Sequence, residues 1–259
     1  MNWQTELHST LSWILTALSF FRLFYEEFTL YQARLNRLYG FMTKLDELDH
    51  LEIHQPMKCS NRVALSNFGI KDDQGRLLLN NLNIELKNGD ALLIQGPSGT
   101  GKTSLLKAMA GIYPFETVGL VEHPCVTSLF LPQRPYMPQG TLREAICYPD
   151  IDPYHPELEK TLADCCLDKY LHSLDIDNDW QAILSPGELQ RVAFIRILLT
   201  KPEVVFLDET TSALDEPTEY LLYKTIKERL PNMIILSVGH RGTLHQFHNK
   251  QLDLAVCLV

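Results

Sequence analysis

Gly96-Pro-Ser-Gly-Thr-Gly-Lys102-Thr103 is the stretch on which the fold of this chain turns. It has the spacing G-x-x-x-x-G-K-[ST], directly after the apolar run Ala91-Leu-Leu-Ile94 and at the start of a helical pattern over 103–111. Gly96, Gly99 and Gly101 let the backbone bend until successive N–H groups face one point, and a helix opening there adds the positive end of its dipole. A polyphosphate is the group such a turn suits. The expected cradle is Gly96, Pro97, Ser98, Gly99, Thr100, Gly101, Lys102, Thr103 and Ser104. Within it the Lys102 ammonium would reach the β- and γ-phosphates, and the Thr103 hydroxyl would ligate Mg2+.

Further along, Val204-Val-Phe-Leu-Asp208-Glu209 reads as a buried strand ending in two carboxylates. Asp208 would hold Mg2+ through water, and Glu209 would orient the attacking water or accept its proton. Alone, such a string is common and a strand-end salt bridge explains it. Beside the phosphate turn, catalysis explains it better. Ser128-Leu-Phe-Leu131 and Met233-Ile-Ile-Leu-Ser-Val238 complete a set of four buried strands, alternating with helical patterns over 103–111, 157–166, 187–200 and 218–229. The layout is α/β with a mostly parallel sheet, and it occupies 62–259 as one domain.

Composition narrows the function classes. Of 259 residues, 45% are hydrophobic and 21% charged, so a sizeable core is expected and wholesale disorder is not. Lys+Arg 23 against Asp+Glu 32 leaves −9, which argues against a nucleic-acid partner. With Gly 13 and Pro 14, collagen-like and low-complexity chains are excluded. Cys59, Cys125, Cys147, Cys165, Cys166 and Cys257 form no C-x-x-C pair and read as reduced thiols facing the cytosol. No basic stretch followed by a small-residue cleavage site opens the chain, so a secretory signal is not expected.

The first part, 1–56, has a different character. Leu11-Ser-Trp-Ile-Leu-Thr-Ala-Leu-Ser-Phe-Phe21 is shorter than the ~20 residues a spanning helix needs, and Arg22 closes it. The apolar stripe nonetheless continues through Ile14, Ala17, Phe21, Phe24, Phe28, Tyr31, Leu35, Leu38, Met42 and Leu45. Such a stripe predicts one long helix, on the order of 70 Å. It is either a coiled-coil stalk or, as the apolar residues off the stripe favour, the end of a last transmembrane helix running into a cytoplasmic linker helix. Pro56 is expected to end it, and polar residues through Ser60 and Asn61 to form a linker.

Leu184-Ser-Pro-Gly-Glu188-Leu-Gln-Arg191, ahead of Asp208, adds the element that separates families. With it the chain resembles the ATP-binding domain of ABC (ATP-binding cassette) transporters over roughly 62–255. The resemblance implies a P-loop NTPase ABC fold: a mostly parallel core, a small antiparallel β subdomain and a helical signature subdomain. It implies that Gln133 senses metal and attacking water, and that Ser185, Gly187 and Glu188 belong to the signature that meets nucleotide held by an opposing subunit. Asp215 matches the D-loop at the dimer interface, and His240 the histidine that bonds the γ-phosphate. ATP and Mg2+ follow as cofactors, and a second such domain, most simply an identical chain, as a partner.

Phe130-Leu-Pro-Gln-Arg-Pro-Tyr-Met-Pro-Gln-Gly-Thr-Leu-Arg-Glu144 and Ser237-Val-Gly-His-Arg241 look like one branch, the peroxisomal fatty-acyl half-transporters and their bacterial cobalamin and peptide uptake relatives. There a membrane domain precedes each cassette, which implies a partner membrane domain and a place on the cytoplasmic face of a bacterial inner membrane. The implied activity is ATP hydrolysis coupled to transport. A soluble, non-transport ABC ATPase is the alternative within the family, and a small-molecule kinase the one outside it.

Three further expectations concern single residues. Pro186 replaces the glycine usual at its signature position and removes one backbone donor, with binding expected to survive. The aromatic that stacks on adenine is missing near Asp72, and Phe68, the nearest ring, fits the core as well as the base, so ATP is expected to be only loosely preferred over GTP. His245 and His248 read as ordinary surface residues rather than members of a metal site with His240.

Overall fold

The computed structural model describes residues 3–49, 57–60, 62–123 and 127–256. The chain divides into two units, Met1–Glu52 and Ile53–Val259. In the first, the continuous apolar stripe produces one helix, α1 (Trp3–Asp49), of 47 residues. Thr16, Ser19 and Thr29 donate their hydroxyls to the carbonyls of Ser12, Leu15 and Tyr25, four residues back, which hides polar groups that would interrupt its apolar surface. Phe20, Phe24 and Phe28 stack in series with centroids 6.1 and 6.4 Å apart. Every described side chain of α1 is exposed. No helix among the described residues is long and apolar enough to cross a membrane; Arg22, Glu26 and Glu27 follow the apolar run too closely. Pro56 lies outside the described residues.

The second unit begins with β1 (Met57–Cys59), β2 (Val63–Lys71), β3 (Leu77–Leu86), β4 (Ala91–Gln95) and α2 (Lys102–Met109), then β5 (Thr117–His123) and β6 (Ser128–Leu131). A helical region follows: β7 (Gly140–Thr141), α3 (Leu142–Cys147), α4 (Leu158–Asp164), β8 (Asp177–Asn178), α5 (Trp180–Ile183) and α6 (Pro186–Thr200). Then come β9 (Val204–Asp208), α7 (Glu216–Arg229), β10 (Ile234–Val238) and β11 (Lys250–Asp253).

The central sheet has the order β11-β4-β10-β9-β6 and every pairing in it is parallel. Both its faces are covered, as parallel sheets require. Leu93, Val205, Leu207 and Ile235 point into a core shared with the helical region, and Leu92, Phe206, Leu236 and Val238 into a second core beneath the other sheet. That sheet, β1-β5-β2-β3, is antiparallel except for β1 on β5. The segment 57–59, expected to precede the domain as linker, thus contributes a strand. Its register, Met57 opposite Val121, comes from a partner far along the chain.

One conformational detail bears on the site. All parallel strands end on the same side of the sheet, so the residues following β4, β9 and β10 emerge together. These carry the phosphate turn, Glu209 and His240.

Candidate functional site

The phosphate turn is built by its glycines. Gly96, Gly99 and Gly101 have φ of 143°, 83° and 85°, the region where side chains are disfavoured. Gly101 is the N-cap of α2 and supplies no side-chain cap, which leaves the first N–H groups of the helix facing the turn. Thr100 Oγ1 donates to Pro97 O at 2.9 Å and tightens the loop from within. Lys102 Nζ donates to Gly96 O at 2.9 Å and Pro97 O at 2.8 Å, so its ammonium lies folded into the loop. The resulting cavity, about 310 Å³, is lined by Leu78, Ser98, Gly99, Gly101, Lys102, Thr103, Ser104 and Glu209.

Thr103 Oγ1 donates to Asp208 Oδ1 at 2.9 Å across two chain-distant segments. Burial and the neighbouring Glu209 charge push the Asp208 carboxyl above the ordinary range, against the Thr103 hydrogen bond. A small divalent cation would relieve that conflict, and the donors at hand are hydroxyl and carboxylate oxygens, of the hard type Mg2+ prefers. The residues therefore fit such an ion.

Glu209 is the meeting point of the rest. Gln133 Nε2 donates to Glu209 Oε2 at 3.2 Å, and His240 Nε2 lies 3.6 Å from Glu209 Oε1. Gln133 thus reaches Glu209, while Thr103 is the residue bonded to Asp208. Glu209 has φ 49°, unusual for a residue with a side chain, and its N–H is held by Val238 O at 3.2 Å. The bend turns the carboxylate away from the line of β9 and toward the phosphate turn, as the shared cavity lining reflects.

The signature forms a separate site. Ser185 is the N-cap of α6 in a capping box: Glu188 N–H donates to Ser185 Oγ, and Ser185 N–H and Oγ donate to Glu188 Oε2, both at 2.8 Å. Burial would raise the Glu188 carboxyl, but Lys169 at 2.6 Å, the Ser185 donors and Tyr170 outweigh it and hold it down at about 2. Glu188 faces this network. Ser185, Pro186, Gly187, Ala213, Leu214 and Asp215 instead line an open depression of about 600 Å³ distinct from the phosphate turn. Pro186 sits in the first turn of α6, where the missing N–H has no intrahelical partner to lose.

Several expectations are corrected. His248 is not a surface residue: it is 5% exposed, with Nδ1 2.7 Å from Leu244 O and Nε2 2.9 Å from Ser237 Oγ. Burial depresses its pKa to about 4. His245 is exposed beside Gln251. Phe68 is fully buried in the core between the sheets. The Asp72 carboxylate accepts from Gln74 and Arg76 N–H and closes the β2–β3 turn. Two side chains escaped sequence reasoning. Gln190 is buried on α6 and bonds the segment after Glu209, and Arg241 donates to Ser212 O and Leu214 O. The signal for the first was a polar residue among Leu189, Val192, Ala193 and Phe194; the second stood beside His240.

Comparison with known proteins bears on this geometry. The family model described as ABC transporter matches residues 79–212. An uncharacterized ABC transporter ATP-binding protein of Haemophilus influenzae is 77% identical over 257 residues, covering 98% of this chain and 44% of that protein. The lysosomal cobalamin transporter ABCD4 of Homo sapiens is 36% identical over 197 residues, covering 68% and 31%. Among solved structures, a bacterial Atm1-family ABC exporter with ATP bound superposes with a TM-score of 0.68 at 24% identity, over 83% of this chain and 42% of that one, a likeness of fold. The chain spans less than half the length of each of these proteins.

Proposed function

The chain belongs to the ABC transporter family, and from that premise we propose that it is the ATP-hydrolysing motor of a membrane transporter, working as a pair closed around two ATP molecules. The observation that carries the reading is the convergence on Glu209: Gln133 at 3.2 Å and His240 at 3.6 Å, beside the cavity of Lys102 and Thr103.

In this reading the N–H groups of 99–103 bind the phosphates, and Lys102 exchanges the carbonyls of Gly96 and Pro97 for phosphate oxygens. Glu209 orients a water against the γ-phosphate and takes its proton, while Gln133 and His240 fix the carboxylate from either oxygen. Thr103 and Asp208, with the Gln133 amide oxygen, would hold Mg2+, whose charge offsets that of the phosphates. The depression at Ser185, Gly187 and Asp215 lies apart from the phosphate turn of the same chain. A second copy, packed head to tail, would bring each signature over the other's triphosphate. Unit Met1–Glu52 would continue a membrane domain on the cytoplasmic side, and release of the pair after hydrolysis would switch access across the bilayer.

Steady-state ATPase measurements on the wild type, Lys102→Ala and Glu209→Gln, with molecular mass in solution at saturating ATP, test this. Both substitutions should abolish turnover, and Glu209→Gln should accumulate a nucleotide-bound pair. Normal turnover by Glu209→Gln, or a chain that stays monomeric at full rate, would overturn the proposal.

A further inference from the structure

We propose that Gln190 is a positioning residue for hydrolysis: its single amide ties the helix that Ser185 opens to the D-loop and to the backbone of Glu209. The inference rests on the roles of Ser185 and Glu209 proposed above.

Gln190 is 3% exposed on α6, with Leu189, Val192, Ala193 and Phe194 buried around it. A glutamine in that setting costs desolvation unless its amide is satisfied, and an apolar side chain would fill the space without that cost. What the amide supplies is a set of directed bonds. Oε1 accepts from Ala213 N–H at 2.8 Å, and Nε2 donates to Ser212 Oγ at 3.0 Å. The same Nε2 reaches Gln133 O at 3.4 Å and Glu209 O at 3.5 Å. One side chain therefore touches the segments that carry the water-sensing glutamine, the catalytic carboxylate and the D-loop.

The segment 212–214 is held independently by Arg241, which donates to Ser212 O at 3.0 Å and to Leu214 O, and it packs on Gly187, where an added Cβ would lie 3.1 Å from Ala213 O. It is thus clasped between α6 and the residue after His240. Glu209 stands in a left-handed conformation, which persists only where neighbours over-determine it. Val238 O on its N–H, and Ser212 N–H at 3.1 Å together with Gln190 on its carbonyl, are the restraints on its two sides, and Gln190 holds Ser212 as well. Because α6 is a continuous hydrogen-bonded rod, a shift imposed at Ser185 by a second molecule's triphosphate moves Gln190 as well. The amide then carries that shift to the carboxylate of its own chain.

Gln190→Glu keeps the acceptor for Ala213 N–H and loses the donors, whereas Gln190→Met keeps the volume and loses both. In the full chain, each should lower kcat for ATP by about tenfold or more with the half-saturating ATP concentration within about twofold of wild type. Nucleotide-driven pairing, read in a Glu209→Gln background, should be unmoved. Ser212→Ala should lower kcat less, and add nothing further to Gln190→Met. A wild-type kcat in both Gln190 variants overturns the inference alone. So does a parallel fall of kcat, affinity and thermal midpoint, which would make Gln190 a packing residue. A wild-type chain without ATPase activity would overturn the proposed function, and this inference with it.

Discussion

Removing the charge of Glu188 probes how firmly the signature turn is held. The carboxylate accepts from Lys169 Nζ at 2.6 Å, from Ser185 N–H and Oγ at 2.8 Å each, and from Tyr170 OH at 3.1 Å. Its folded pKa of about 2 lies below the ordinary 4.5, and that gap corresponds to about 3 kcal/mol of stability. The folded state binds the proton less readily than the unfolded chain. The contribution is therefore complete above about pH 4.5 and is lost as pH falls from there toward 2. Urea unfolding of wild type and Glu188→Gln, repeated from about pH 7 down to about pH 4, isolates it. The variant should be less stable by about 1–3 kcal/mol at neutral pH, and about 1 kcal/mol of that difference should vanish by about pH 4. Because Lys169 is largely exposed, salt should trim the difference. A difference that stays constant across the range would refute the assignment of the network to the charged carboxylate.

Three other measurements follow from particular packing. Phe206 is fully buried and stacks between His123 and Phe130, so Phe206→Ala should cost about 3–5 kcal/mol in denaturant unfolding, and a loss under about 1 kcal/mol would contradict that core. The His248 ring should remain neutral by NMR down to about pH 4, with its share of stability present above the ordinary 6.5 and lost as pH falls from 6.5 toward 4; titration near 6.5 would contradict its burial. With Phe68 in the core and Asp72 closing an exposed turn, no aromatic stacking of about 1–3 kcal/mol on the base is expected there. Affinities for ATP and GTP should differ by less than about tenfold, and a preference for ATP of about a hundredfold would count against this.

Much of the second unit was legible in the chain because its signals are local. The apolar runs at 91, 128, 204 and 233 became β4, β6, β9 and β10 to within a residue or so, since a strand covered on both faces needs an unbroken apolar run. The start of α6 fell within a residue of the helical pattern expected from 187, and the phosphate turn was marked by its glycines. What escaped depends on partners remote in sequence. The three residues of β1 carry no strand pattern of their own and are fixed by Val121, Glu122 and His123. His248 resembles any polar residue after a loop until Ser237 and Leu244 close around it. Gln190 draws its meaning from Ser212 and Ala213, which a periodicity argument on α6 alone cannot reach.

The left-handed backbone at Glu209 has an evolutionary corollary. At φ 49° the fold itself would accept glycine, which sheds about 1 kcal/mol of strain and surrenders a similar amount to the greater freedom of its unfolded chain. A Glu209→Gly protein should therefore keep much of the melting behaviour of its parent while losing the carboxylate proposed above to handle water. If the proposed role of Glu209 holds, a silent paralogue is a single replacement away: the backbone would accept the step, and its structural cost is the loss of the Gln133 and His240 contacts to the carboxylate.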